Sequence, residues 1–350
     1  MLSWRQQLRL LDQLRRDNTQ SLSNGLFRML GKSRHLLARQ LTPTEVKRIL
    51  VVRNNKRIGN MYFMLPFMRE LKRAYPIAQI DLMLLTTEQG RVFDHIGLNQ
   101  IVVSHFSFDT ALAFLKTIFK LRRTVYDLLI MPHSSASDTL ICAILNAHNK
   151  VSFYGPRNQY VFPQSFDIHQ HNPHAALSAL ALLEALGHKT QGHDHTMVFS
   201  AAEDAEGKAV ANGLKADSPL CIAYFRGARG NKMIDDSTWL RIRQDFDATR
   251  PNAIKWVEIL SPDVRSSLIP GTPTFESADL RHLAAVLKHV DAFICADTGP
   301  LHLADAAGAT CIGLFTTTNI EHYGCLNDRS INITDVAGFN AHATLQKIKL

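Results

Sequence analysis

The sequence predicts an α/β protein of two successive halves, each a parallel sheet with helices on both faces. Three observations carry this. The chain has 350 residues, too many for one ordinary domain and suited to two. Short apolar runs of strand length alternate with longer runs of helical spacing. That alternation stops in a polar stretch at 187–195 and then begins again.

Residues 1–44 precede the alternation. Trp4, Leu8 and Leu11 share a helical face, as do Leu10 and Leu14, and later Leu26, Leu30 and Leu37. Arginines fill the opposite face, so residues 1–41 are either a helix for an anionic membrane surface or one that packs on the body. Thr42-Pro43-Thr44 ends it. In the first half, 45–190, strands are expected at 48–53, 80–85, 101–103, 126–131 and 150–153. Helices are expected at 61–74, 91–96, 108–123, 137–146 and 174–186, with stops at Tyr75-Pro76 and Gly187. In the second half, 191–330, helices fall at 201–214, 237–248, 279–289 and 300–307. They alternate with strands at 220–225, 253–260, 292–295 and 311–315. Residues 331–350 read as a helical segment that packs back on the first half. No internal repeat or low-complexity tract interrupts this order.

Composition removes several classes of function. No apolar run reaches the roughly 18 residues of a membrane span, and arginines break the N-terminal segment before a signal-peptide core forms. Five scattered cysteines without a C-x-x-C pair argue against a zinc or redox motif and fit reduced thiols in the cytoplasm. The net charge is +8, and residues 1–41 hold eight basic against two acidic residues. The basicity thus belongs to the extension, and the body lacks a nucleic-acid motif. No G-x-G-x-x-G fingerprint occurs, which disfavours a nicotinamide oxidoreductase.

Three segments can carry chemistry. The first is the strand–turn–helix junction 291–302, with Asp297, Thr298, Gly299, Pro300 and His302. Pro300 suits the first helical turn, and Gly299 lets an anion approach free N–H groups at the positive end of the helix dipole. The alternative is a plain junction with Asp297 and Thr298 as caps. The second is the cationic loop 225–232, where Arg226, Arg229 and Lys232 suit a diphosphate leaving group, or else form a solvated loop. The third is the first strand–helix loop, 53–60. There Gly59 permits the turn, and Lys56 and Arg57 attract an acidic acceptor. His133 and Asp138, with Asp94 and His95, are weaker candidates for a general base, each as readily a capping or surface residue. His169, His171 and His174 lack standard zinc spacing, and no metal site is expected.

Taken in order, these segments resemble glycosyltransferase family 9, the heptosyltransferases that move heptose from ADP-heptose to the lipopolysaccharide core. The resemblance spans roughly residues 47–330. It is carried by 48–85, 126–146, 174–187 and, most specifically, 279–315 with its D-T-G-x-x-H core. It implies a GT-B fold of two facing Rossmann-like domains, an inverting and metal-independent transfer, and a nucleotide-sugar site in the second half. Asp297, Thr298, Gly299 and His302 would surround the diphosphate and sugar, with Lys232 on a phosphate. Asp263, in the loop 261–263, would lie near the nucleoside, and Thr316 falls in a loop that departs from the family's aromatic–glycine–proline run.

The family's first loop normally ends in Gly-Asp, whose aspartate is the proposed base. Here that position is Asn60, and a second often acidic position is Met131. An amide cannot take the acceptor's proton. The expectations are therefore a transferase using another base, a nucleotide-sugar-binding protein without turnover, or a GT-B-type sugar-nucleotide epimerase. The expected partners are the nucleotide sugar, a lipopolysaccharide-core or lipid-linked acceptor and, through residues 1–41, an anionic membrane surface. No cofactor is expected, and the setting is the cytoplasm or the inner-membrane surface.

Overall fold

The computed structural model describes residues 25, 27–30, 35–106, 109–133, 135–167, 172–191 and 194–350. Most of the basic extension, with His169 and His171, lies outside the described residues. Where it is described, the extension packs on the first half. Phe27 is buried in a cluster with Val161 and Phe162, and the Leu37 N–H donates to the His148 carbonyl (2.9 Å).

The first sheet comprises β1 (Arg48–Val52), β2 (Gln79–Leu84), β3 (Gln100–Val103), β4 (Tyr126–Met131), β5 (Ala147–Phe153) and β6 (Gln164–Phe166). Their order is β3-β2-β1-β4-β5-β6. The second comprises β7 (Leu220–Phe225), β8 (Ile254–Ile259), β9 (Thr274–Phe275), β10 (Ala292–Ala296), β11 (Cys311–Leu314) and β12 (Ile331–Ile333). Their order is β12-β11-β10-β7-β8-β9. Every neighbouring pair is parallel. Helices cover both faces, so central strands are apolar throughout rather than alternating: Ile49, Leu50, Val51 and Val52 are all fully buried.

The strand order places a site in each half. Moving outward from its first strand, each sheet runs one way and then the other, so the connections diverge between β1 and β4 and between β7 and β10. A crevice opens there at the carboxyl edge, where ligands bind in open α/β sheets. The residues leaving those strands are 53–58, 132–135, 226–232 and 297–298.

The two halves share buried contacts. Arg281, on the helix Leu280–Lys288, is 2% exposed. Its guanidinium donates to both oxygens of Glu203 (2.6 and 2.8 Å) and to the Val198 carbonyl (2.7 Å). It also donates to the Arg91 carbonyl of the first half (2.9 Å). Arg91 in turn pairs with Asp279 at 2.7 Å. Asp94 and His95 belong to this joint, near Arg281 and Glu203, and not to a catalytic position.

Several elements differ from expectation. Strands β6, β9 and β12 are two or three residues long at sheet edges, too short for a period to register. The expected helix 61–74 divides into Gly59–Tyr62 and Leu65–Ala74, the second opening with Pro66 in its first turn. The segment 331–350 does not return to the first half. It begins with β12, paired to β11, and its helix Ala341–Ile348 buries Ala341, Leu345 and Ile348 against Phe246 and Trp239 of the second half. The Ala341 N–H donates to Asp245 at 2.7 Å, which fixes the helix start on the helix Asp236–Thr249.

Candidate active site

The carboxyl edges of the two sheets enclose a cleft of about 780 Å³. Arg53, Lys56, Arg57, Gly59, Asn60 and His133 line it from the first half, and Lys232, Asp297, Thr298, Gly299 and His302 from the second. All three chemistry-bearing segments of the sequence meet here. At its floor the backbones of Gly59 and Gly299 face one another: a Cβ on Gly59 would lie 3.6 Å from the Gly299 Cα.

On the second-half side, Asp297 leaves β10 and is 3% exposed. Its carboxylate accepts from His302 Nε2 (2.9 Å) and Lys232 Nζ (2.5 Å). Burial works against its charge, but hydrogen bonds from His302, Lys232 and Thr318 outweigh burial and hold the carboxyl well below the usual range. Asp297 therefore orients two donors. The helix Gly299–Ala307 starts directly after it with Thr298 as N-cap. Thr298 makes no side-chain cap bond; its hydroxyl donates to the Ala296 carbonyl at 3.1 Å. Of the first-turn N–H groups, that of Gly299 is left to the cleft, because Pro300 has none and those of Leu301 and His302 donate to the Thr298 carbonyl (3.1 and 3.4 Å).

On the first-half side, the loop after β1 is held from beneath. Asp138 is fully buried in the first turn of the helix Ala136–Ile144. It accepts the Asn54 N–H (3.0 Å) and lies 3.8 Å from the Arg53 guanidinium. Burial raises its pKa, against Arg53 and the hydrogen bonds. Asp138 supports the loop and does not reach the cleft, so it is not a base for a substrate there. His133 does line the cleft, but burial first and then the Arg53 charge push its pKa down to about 3. It is neutral and weakly basic. Asn60 is half-buried in the turn Gly59–Tyr62 and faces the cleft.

Three expected donor residues have other partners. Arg226 is bound to the fully buried Glu258 (2.6 Å) and to the Ser266 carbonyl (2.7 Å), because a buried carboxylate requires a cation. Asp263 pairs with Arg229. Thr316 is exposed and donates to the Asn231 carbonyl (3.3 Å), and Thr318, two residues on, lines the cleft in its place. Pro300 acts through the backbone, in the first turn of its helix.

Residues without a sequence signal complete the wall. The Phe63 ring lies 4.5 Å from that of His302 and 6.0 Å from that of Tyr323. Phe63 sat in an apolar run read as helix core. Ala175 reaches the cleft because its N–H donates to the His322 carbonyl (2.9 Å), a contact between segments nearly 150 positions apart. His174, singled out as a metal ligand candidate, has both nitrogens engaged: Nε2 donates to the Gly324 carbonyl (2.9 Å) and Nδ1 accepts the Ala176 N–H (3.1 Å).

The cleft lining holds four cationic side chains and one carboxylate, Asp297, already paired. That is a donor set for an anion such as a diphosphate rather than for a divalent metal. Among the described residues, Asp305, Cys311 and Cys325 lie close enough to share an ion, but both Asp305 oxygens already accept backbone N–H groups from Leu326 (2.8 Å) and Asn327 (3.1 Å).

Two doubly wound halves facing across a cationic cleft make up a GT-B fold. Similarity to known proteins marks the chain as a glycosyltransferase. Residues 277–348 match the model of glycosyltransferase family 9 (heptosyltransferase). The chain is 26% identical over 282 residues to lipopolysaccharide heptosyltransferase 3 of Escherichia coli (strain K12), covering 75% of this chain and 80% of that protein. Its fold is that of a glycosyl transferase family 9 protein from Veillonella parvula DSM 2008, with a TM-score of 0.71 at 17% identity, covering 87% of this chain and 89% of that one. It is also that of the E. coli heptosyltransferase WaaC solved with ADP, with a TM-score of 0.67 at 17% identity, covering 86% and 99%. Among the described residues, no helix is long and apolar enough to cross a membrane.

Proposed function

We propose that the chain transfers a heptose, with inversion and without a metal, from ADP-heptose to a lipopolysaccharide-core acceptor at the cytoplasmic face of the membrane. The observation that carries this is the Lys232–Asp297–His302 array at an uncapped helix start, across a cleft from Lys56, Arg57 and Asn60. The donor diphosphate lies against the Gly299 N–H and Lys232, which take up the negative charge as the sugar–oxygen bond breaks. His302, whose Nε2 donates to Asp297, offers its other ring nitrogen as an acceptor to a sugar or acceptor hydroxyl. Lys56 and Arg57 are both exposed and attract an acidic acceptor. The E. coli heptosyltransferase WaaC solved with ADP-2-deoxy-2-fluoro heptose shares the fold and supports an ADP-sugar as donor.

The acceptor's proton is the weak point of the machinery. Asn60 has no basic atom, Asp138 is sealed off, and Asp297 is committed to Lys232 and His302. Of the two histidines in the cleft, His302 is tied to Asp297, and the low proton affinity of His133 beside Arg53 makes it a poor base. Transfer then relies mainly on leaving-group stabilisation. A general base is worth typically about 10²–10⁴-fold, so turnover is slow rather than abolished.

ADP release from ADP-heptose with a lipopolysaccharide-core acceptor tests this reading. Acceptor-dependent release supports it, and Asn60→Asp raises the rate by about tenfold or more. Saturable donor binding with no transfer at high enzyme would refute it in favour of a second reading, a nucleotide-sugar-binding protein, which the amide at position 60 favours.

A further inference from the structure

We propose that the helix Ala111–Arg122 of the first half is a docking face for an anionic lipid surface. The helix buries Ile118 and Leu121 against the first-half core. Its outer side does not have the usual polar character: Leu112, Leu115 and Phe119 are 77%, 59% and 64% exposed. Spacings of three and four residues put these three side chains on one stripe. Scattered exposed apolar residues are ordinary, but three large ones in register on one helix are not.

Charge selects the occupant. Lys116, Lys120, Arg122 and Arg123 are exposed on the same helix and its C-cap, and residues 111–123 contain no acidic side chain. The Arg123 guanidinium lies 5.0 Å from the centroid of the Phe119 ring, so cation and apolar stripe form one surface. An apolar stripe flanked by cations of one sign complements acyl chains beneath phosphate headgroups.

Position adds a second, independent reason. The helix begins at an apolar chamber of about 550 Å³, lined in part by Leu85, Phe106, Ala111 and Phe114. Lys56 lines both this chamber and the cleft. The start of the docking helix, the chamber and the acceptor-side loop therefore lie together at the carboxyl edge of the first sheet. An acceptor anchored in the lipid surface meets the cleft from this side, while the donor enters against the second half.

The test uses the full chain and vesicles of phosphatidylethanolamine with phosphatidylglycerol, without sugar nucleotide or acceptor, so its outcome is independent of the transfer reading. The protein floats with these vesicles at low salt, and less with added salt or with uncharged phosphatidylcholine vesicles. The double variant Leu115→Glu with Phe119→Glu lowers the vesicle-bound fraction by about tenfold or more, and Lys116→Glu with Lys120→Glu lowers it severalfold. Both pairs are at the surface, and circular dichroism checks their fold. As a second readout, the emission of a Phe119→Trp variant shifts to the blue when the anionic vesicles are added. The proposal is overturned if the unaltered chain does not float or if the Glu pair floats equally well, which would move attachment elsewhere, such as residues 1–41. It is also overturned if the emission of the Phe119→Trp variant does not change, or if sedimentation shows the stripe covered by a second copy of the chain.

Discussion

At the residue scale, the cleft is governed by how each polar side chain is already satisfied. Lys232 is held on Asp297 at 2.5 Å, aimed at the helix start. Lys232→Ala should lower kcat by about 10²–10³-fold, the usual loss for one donor at a site of developing charge, measured by ADP release. His133 supplies a pH signature. Its folded pKa of about 3 lies below the ordinary value of 6.5, so the unfolded chain binds the proton more readily. Its contribution is complete above pH 6.5 and is lost progressively as pH falls from there toward 3. Denaturant midpoints at pH 7 and pH 5 should therefore differ less in His133→Gln than in the parent chain. Asp297 acts in the same direction at more acid pH: its carboxyl is depressed, so its share is present above the ordinary carboxylate range and lost below it.

At the element scale, the two halves are joined by charged side chains that are nearly or fully bonded. Arg281 binds the Glu203 carboxylate and one backbone carbonyl from each side of the joint. The Arg281 hydrogen bonds are the main reason the Glu203 carboxyl falls well below its usual range, with burial opposing and Ser200 assisting. Glu203 is also the third residue of the capping box that opens the helix Ala201–Lys215. Arg281→Met keeps an apolar stem and removes both the bonds and the guanidinium over the Phe199 ring. It should cost about 2–3 kcal/mol in thermal or denaturant unfolding, with Glu203's partial exposure limiting the loss. That cost shrinks as pH drops below the ordinary carboxylate range, because the unfolded chain then binds a proton on Glu203 that the Arg281-bound carboxylate of the folded chain does not. How well elements could be read from sequence followed length and burial. The strands β1, β4, β7 and β10 are apolar beyond their first two residues and carry the site-bearing loops at their ends, so the loops are legible with them. The edge strands β6, β9 and β12 carry no such signal.

At the scale of the whole molecule, the cleft exists only because two sheets present their carboxyl edges to one another. A nucleotide held between Lys232 on one side and Arg53, Lys56 and Arg57 on the other binds the folded chain alone. ADP at about 100 times its Kd should therefore raise stability by about 2.7 kcal/mol, seen as an upward Tm shift. Lys232→Ala should reduce that shift, and salt should weaken it, because the lining is cationic. An unchanged Tm at saturating ADP, ADP-heptose and other nucleotide sugars would argue against a nucleotide donor.

What the sequence by itself determined is the local chemistry. Strand–turn–helix signals at 48–60 and 291–307 mark the two glycine-bearing loops, and Pro300 marks a helix start, because each depends on neighbours in the chain. What only the tertiary structure decided is which of those groups are free to act. Arg226 looked like a phosphate ligand until Glu258 claimed it, and Asp138 looked like a base until burial closed it beneath the β1 loop. Phe63, Ala175, Thr318 and Tyr323 reached the cleft through folding alone. The C-terminal helix joined the second half because the apolar surface that buries it is made by a helix almost 100 residues earlier. Partners of this sort come from distant parts of the chain, and no local pattern encodes them.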